Sequence, residues 1–270
     1  SAFGEFVGDN PTSAARIVYY LKKRHTFGKM EMEILDPSGK KVASLVPGKS
    51  KGINEVLWNY SYKMPKIATA KTFTFGGFTT PTVPPGTYTV RLTKGKEVYE
   101  AALELVPDPE SIHSQADRDA QHDSAMKLYN MNESLAYLID QVDMMMEGAS
   151  TAKGKNPSKK VMKLLDPFAT ELQSMKEELV ITTGDNYVGS AEPRLREKIA
   201  SLYGAVAGYA GRPSNAQIQN LKLLSSQLET AQAKMDGITE RLSKLNAALV
   251  KEGLPEISYR SKEEFMEADI

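Results

Sequence analysis

The sequence predicts an antiparallel β-sandwich followed by an up-down-up-down four-helix bundle, two domains in series. Three observations predict it. Ahead of Ser114, apolar residues alternate in short runs, as in Ile17, Tyr19 and Leu21 or Met30, Met32 and Ile34. A period of two is that of strands half buried on one face. Beyond Ser114 the apolar residues recur every three or four positions, as in Leu128, Met131, Leu135, Leu138, Val142 and Met145, which is a helical period. Finally, Gly and Pro punctuate the first part at the short spacing of a sandwich. The organisation read from these signals is a linker over 1–13, the sandwich over 14–110, the bundle over 111–253 and a C-terminal tail over 254–270.

Seven segments carry the strand pattern: Ala15–Lys22, Lys29–Leu35, Lys41–Leu45, Asn54–Ser61, Thr72–Phe75, Gly86–Thr93 and Val98–Val106. Asp36-Pro37-Ser38-Gly39 joins the second and third, with Pro fixing φ and Gly free to adopt a positive φ. Lys94-Gly95-Lys96 joins the last two in the same way. Trp58, the single tryptophan, alternates with Val56 and Tyr60 on one face of its strand. That is the pattern of a core residue; a sugar-stacking platform requires an exposed ring. The segment from Met64 to Pro85 differs from its surroundings. It carries four prolines and places Phe73, Phe75 and Phe78 around Gly76-Gly77. Aromatic side chains on such a loop are candidates for stacking on a carbohydrate ring or a partner surface, and equally for closing one end of their own sandwich.

The helical half opens on Ser114-Gln115-Ala116-Asp117, a capping pattern. Helix one is expected to run to about Glu147 and stop at Gly148, with a loop over residues 149–158. Helix two, from about Pro157 to Ile181, lines up Val161, Leu165, Phe168, Leu172, Met175 and Leu179, with a kink or broken start expected at Pro167. After a Gly-containing loop, Pro193 opens helix three, whose apolar face is Leu195, Ile199, Leu202 and Val206. Helix four follows a cap at Ser214 or Asn215. Leu221, Leu228, Met235, Leu242 and Leu249 repeat every seven residues, and Leu224, Ala231, Ile238 and Leu245 fill the second seam. Gly253 and Pro255 end it. Helices one and four each span about 50 Å. Four apolar stripes in one chain favour an intramolecular bundle over a coiled coil between chains, so a monomer is expected.

Chemistry is sparse. With 34 basic and 34 acidic residues the net charge is zero, which argues for no nucleic-acid partner. No apolar run reaches about 18 residues, so no membrane span is expected. The absence of cysteine removes disulfides and thiolate metal sites. His113 and Asp117, with Asp119, His122 and Asp123 nearby, permit a weak divalent site but lack a third strong ligand at a diagnostic spacing, so no metal is expected. Glu31 and Glu33 share the outer face of a strand without a cleft, which makes no glycosidase pair. Phosphate loops, dinucleotide fingerprints and nucleophile elbows do not occur, so neither cofactor nor catalytic residue is assigned.

Several stretches nevertheless carry a family resemblance. They are Ala15-Arg16-Ile17-Val18-Tyr19-Tyr20-Leu21-Lys22, Met32-Glu33-Ile34-Leu35-Asp36-Pro37-Ser38-Gly39-Lys40, Gly52-Ile53-Asn54-Glu55-Val56-Leu57-Trp58 and Pro85-Gly86-Thr87-Tyr88-Thr89-Val90-Arg91-Leu92. In the helical half they are Leu195-Arg196-Glu197-Lys198, Ser201-Leu202-Tyr203-Gly204-Ala205-Val206, Gly211-Arg212-Pro213-Ser214 and Gly253-Leu254-Pro255. Together these resemble the C-terminal region of exported bacterial sortilin-like, Asp-box (BNR-repeat) β-propeller proteins, often labelled glycosyl-hydrolase-like. The β module also resembles the immunoglobulin-like domain of flagellar hook-capping proteins. The resemblance implies an immunoglobulin-like sandwich in a non-catalytic accessory part of an exported protein. Its implied partner is the N-terminal β-propeller of the parent or a cell-envelope protein; carbohydrate, contacted by Phe73, Phe75 and Phe78, is the alternative that the loop aromatics themselves offer. Any hydrolytic site would belong to the propeller, none of whose residues map here.

Overall fold

The structure, a computed structural model, describes residues 12–72, 79–183 and 192–268. The chain divides into two compact units, Ser1–Lys63 with Thr82–Ile112 and Met64–Pro81 with His113–Ile270. The first is built of antiparallel sheet and the second of helices. In this division Met64–Pro81, which lie inside the 14–110 span read from the sequence, group with the helices, and the later boundary falls after Ile112.

The described strands are β1 (Ala15–Leu21), β2 (Met30–Leu35), β3 (Lys41–Leu45), β4 (Gly52–Trp58), β5 (Gly86–Lys94) and β6 (Glu97–Leu105). β1 pairs with β4, and the other four form a sheet in the order β3-β2-β5-β6, every pairing antiparallel. Of the expected strand Thr72–Phe75, Phe73–Phe75 lie outside the described residues, and Thr72 is not in a strand. The turns behave as their chemistry requires. Gly39 and Gly95 take φ of 83° and 61°, and one Asp36 carboxylate oxygen accepts from the amides of Ser38 and Lys40. The alternating inward residues of both sheets meet in one apolar core, including Met32, Ile34, Val56, Trp58, Tyr88 and Val90. This gives the β unit a sandwich-like arrangement.

The helices are α1 (Gln115–Gly154), α2 (Lys159–Leu179), α3 (Leu195–Ala207), α4 (Asn215–Lys251) and the short α5 (Lys262–Glu267). The apolar stripes read from the sequence are the buried ones. Leu221, Leu224, Leu228, Met235, Ile238, Leu242, Leu245 and Leu249 of α4 are all buried against stripes of α1, α2 and α3. α4 ends in a Schellman arrangement. Gly253 has φ of 69°, and the Leu254 amide donates to Leu249 carbonyl at 3.0 Å.

Three expectations about the helices change. α1 does not stop at Gly148 but runs on to Gly154, because Ala149 and Ala152 are buried in the core. Gly148 serves close approach instead: a Cβ there would lie 2.9 Å from Ile257 Cγ2. α2 continues through Pro167, which is exposed and four residues beyond the exposed Lys163, so the carbonyl that loses its donor faces water. The buried stripe on both sides of the proline holds the helix together. Residues 254–268 are no loose tail, since Ile257 and Phe265 are buried and Asn246 makes two hydrogen bonds to the backbone of Ile257.

The N-terminus of α1 gives a pH prediction. Ser114 and Asp117 form a reciprocal capping box, and Arg212 Nε donates to Asp117 Oδ1 at 2.8 Å. The Ser114 hydroxyl foremost, then Arg212, hold the Asp117 carboxyl down at about 2. A depressed carboxylate adds stability that is present above its ordinary value of 3.8 and is lost as pH falls through about 2. The cap is therefore expected to weaken in that window. A carboxyl-carbon NMR titration of Asp117 with a midpoint at its ordinary value would reject this.

Candidate functional site

In β1 and β4 the alternation that buries one face leaves the other open. Ile17, Tyr19 and Leu21 turn toward the core with Val56 and Trp58. Their neighbours Val18, Tyr20, Ile53 and Leu57 are exposed, Ile53 at 76%. The register sets Tyr20 opposite Ile53, Val18 opposite Glu55 and Arg16 opposite Leu57. One face thus combines four large apolar side chains with a single Arg16–Glu55 ion pair at 3.5 Å. Exposed apolar groups gathered in this way are candidates for an interaction surface. Beside it, the edges of β3 and β4 border an open cleft of about 640 Å³, into which Leu57, Tyr62 and Lys63 also project. Leu57 belongs to both features, so face and cleft are continuous.

A second constellation lies in the helical unit. Arg196 and Glu197, with side chains only 7% and 10% exposed, are a buried ion pair at 2.9 Å. Arg196 Nε donates to the Ala68 carbonyl at 2.6 Å, and Nη1 donates to the Thr72 carbonyl and hydroxyl. The Thr72 hydroxyl donates to Glu197 Oε1 at 2.9 Å. Tyr203 donates to the Thr79 carbonyl at 2.8 Å, and Lys66 Nζ donates to the carbonyls of Phe265 and Ala268. Burial pushes the phenols of Tyr129 and Tyr203 up, and for Tyr129 the neighbouring Glu133 adds to the effect. These polar groups hold residues 64–72 and 79–81 to α3 and α5. That is the physical reason the segment leaves the β unit. The work done here is on backbone carbonyls: positioning, with donors and acceptors matched.

The structure separates the residues that the sequence singles out. Phe73, Phe75 and Phe78 lie outside the described residues, between the anchored Thr72 and Thr79. Trp58 is 3% exposed, packs edge-on against Tyr88 at 5.7 Å and donates from Nε1 to the Ser61 carbonyl. It is a core residue and not a stacking platform. Glu31 and Glu33 form ion pairs with Lys29 and Lys41. The His113 ring packs edge-on against Tyr209, while Asp117 is engaged by its cap and by Arg212. Among the described residues no three His, Asp or Glu side chains gather as metal ligands. Nor is any helix among them long and apolar enough to cross a membrane.

Sequence reasoning missed the outer face of β1 and β4. Its signal was present in the unbroken run Ile17-Val18-Tyr19-Tyr20-Leu21, since consecutive apolar residues in a strand make both faces apolar. Compared with protein-family models, curated proteins and solved structures, the chain matches none.

Proposed function

We propose that this chain is a non-catalytic interaction module: an immunoglobulin-like sandwich followed by an up-down-up-down four-helix bundle, docking on the N-terminal β-propeller of an exported bacterial parent protein. The observation that carries this reading is the apolar outer face of Val18, Tyr20, Ile53 and Leu57, a surface poorly matched to water. Two antiparallel sheets around one core support the sandwich, and four long helices with meeting stripes support the bundle. The propeller as partner, and export, rest on the family resemblance. Val18, Tyr20, Ile53 and Leu57 all fall within the resembling stretches, so the proposed face belongs to the same sequence pattern.

The test is titration of this chain with the separately produced propeller of its parent, using the double variant Tyr20→Ser and Ile53→Ser as control. Surface substitutions cost only about 0.5 kcal/mol each, so the variant is expected to keep its fold and lose binding. Propeller binding at full strength by the variant, or none by the wild type, removes the reading.

A further inference from the structure

We propose that the groove between α1 and α4, closed on one side by the C-terminal segment, binds a small neutral polyhydroxylated ligand of saccharide type. The groove encloses about 410 Å³, within the range of roughly 300–1,000 Å³ typical of small-molecule sites. Ser134, Tyr137 and Gln141 stand at i, i+3 and i+7 on α1, and Gln232, Asp236 and Thr239 stand at i, i+4 and i+7 on α4. Each helix therefore presents one polar stripe along the groove. Leu138 and Met235, both buried, lie between them, and Tyr259 and Lys262 complete the wall.

The decisive group is Gln141. It is only 9% exposed, lines the groove, and makes no hydrogen bond with any described residue. A primary amide offers two donors and two acceptor lone pairs, and those of Gln141 open onto the groove, since the fully buried side-chain polar atom left without a partner among the described residues is Arg118 Nε. Its place on the groove wall leaves that capacity to a ligand group. The remaining polar atoms have capacity left. Thr239 donates its hydroxyl proton to the Met235 carbonyl and Tyr137 to the Arg260 carbonyl, so both oxygens still accept. Asp236 is an acceptor and Lys262 a donor, and their charges cancel. Amides, hydroxyls and a balanced charge pair, beside aromatic carbon from Tyr137 and Tyr259, suit hydroxyl-rich ligands that donate and accept at every carbon. They do not suit a phosphate or a metal ion, which need charge of one sign.

The wall is held before any ligand arrives. Arg260 makes a two-pronged pair with Asp140, and Phe265 packs against Tyr137 at 5.5 Å. Fixed walls reduce the ordering that binding must supply. The site shares no residue with Phe73, Phe75 and Phe78 and does not depend on the docking face.

Calorimetric titration of the whole chain with glucose, N-acetylglucosamine, maltose and inositol tests the proposal. At least one probe is expected to give saturable heat and to raise the melting temperature. Gln141→Leu, close in shape, is expected to weaken that binding about tenfold or more while keeping the melting temperature, because the amide bonds to no other described residue. Gln232→Ala, at an exposed position that folding does not need, is expected to weaken it as well. The proposal is overturned if no probe binds, if binding survives unchanged in both variants, or if binding is lost only when Phe73, Phe75 and Phe78 are replaced by alanine.

Discussion

Replacing Arg196 with alanine is expected to destabilise the helical unit by about 3–5 kcal/mol, the penalty typical of removing one partner from a buried ion pair. Three losses combine. The Glu197 carboxylate stays buried with only the Thr72 hydroxyl and the Arg194 amide as donors. The carbonyls of Ala68 and Thr72 lose their guanidinium donor. A long side chain also leaves a void between α3 and the segment it holds. Glu197→Gln is expected to cost less, about 1.5–3 kcal/mol, the scale of a hydrogen bond to a charged group, because Arg196 keeps its carbonyl acceptors. Arg196→Lys recovers little, since an ammonium cannot span the Ala68 carbonyl and the Thr72 oxygens as a planar fork does.

The readout can be assigned to one unit. All the described helices lie in the unit that contains Arg196, while Trp58, the only tryptophan, lies in the β unit. At about 2–4 °C per kcal/mol for a unit of this size, the helical circular dichroism of Arg196→Ala should melt roughly 6–20 °C early. Limited proteolysis near residues 64–72 should accelerate with it. A helical midpoint equal to wild type would show that the pair is not needed to hold the segment.

Where local chemistry decides structure, the sequence was readable. The seam of α4 needs only its own spacing. The capping box at Ser114, the hairpin at Asp36–Gly39 and the stop at Gly253 are each settled within a few residues. Where a partner distant in sequence decides, it was not. Gly148 reads as a helix stop, yet the reason for glycine there is Ile257, more than a hundred residues away. Pro167 reads as a break, but a buried stripe on either side outweighs one lost hydrogen bond. The segment from Met64 to Pro85, with a strand expected at Thr72–Phe75, reads as part of the sandwich because nothing local shows that Arg196 binds Ala68 and Thr72.

The same contrast governs the candidate sites. The β1 half of the outer face, Val18 and Tyr20, is written in five consecutive residues and could have been found. Gln141 could not: on the sequence it is one polar residue among the apolar ones of α1. Only the meeting of α1, α4 and the C-terminal segment makes it a buried amide on a groove wall. The resemblance pointed to accessory architecture but gave no side chain a role, so the assignment of roles rests on the geometry.

Trp58→Ala is expected to cost the β unit about 3–5 kcal/mol, the range for emptying a large aromatic site in a core. A unit of this size buries a smaller share of its surface than a large domain does. With native stabilities commonly about 5–15 kcal/mol, such a loss leaves it near its unfolding threshold. The indole fills the centre of the core that the two sheets share, and its edge-on contact with Tyr88 adds about 0.5–1.5 kcal/mol beyond area alone. Tyr88 is itself fixed by donating to the Pro84 carbonyl at 2.7 Å, and burial pushes its phenol up to about 12. The neutral phenol is the form the fold prefers. Its stabilisation is therefore full below the ordinary value of 10 and is lost as pH rises through about 12. Trp58→Phe keeps an aromatic ring but loses the bond to the Ser61 carbonyl, and should cost about 1–2 kcal/mol. Amide exchange distinguishes this from a general weakening: protection in β2 and β5 should fall while that in the middle of α1 and α4 holds. The comparison also separates core from surface. Trp58→Ala should abolish partner docking by loosening the strand that carries Ile53 and Leu57. Tyr20→Ser with Ile53→Ser should abolish it with exchange in β2 and β5 unchanged. If the surface pair instead lowers protection as much as the core substitution does, those exposed side chains are holding the fold together, and the outer face is not a docking surface.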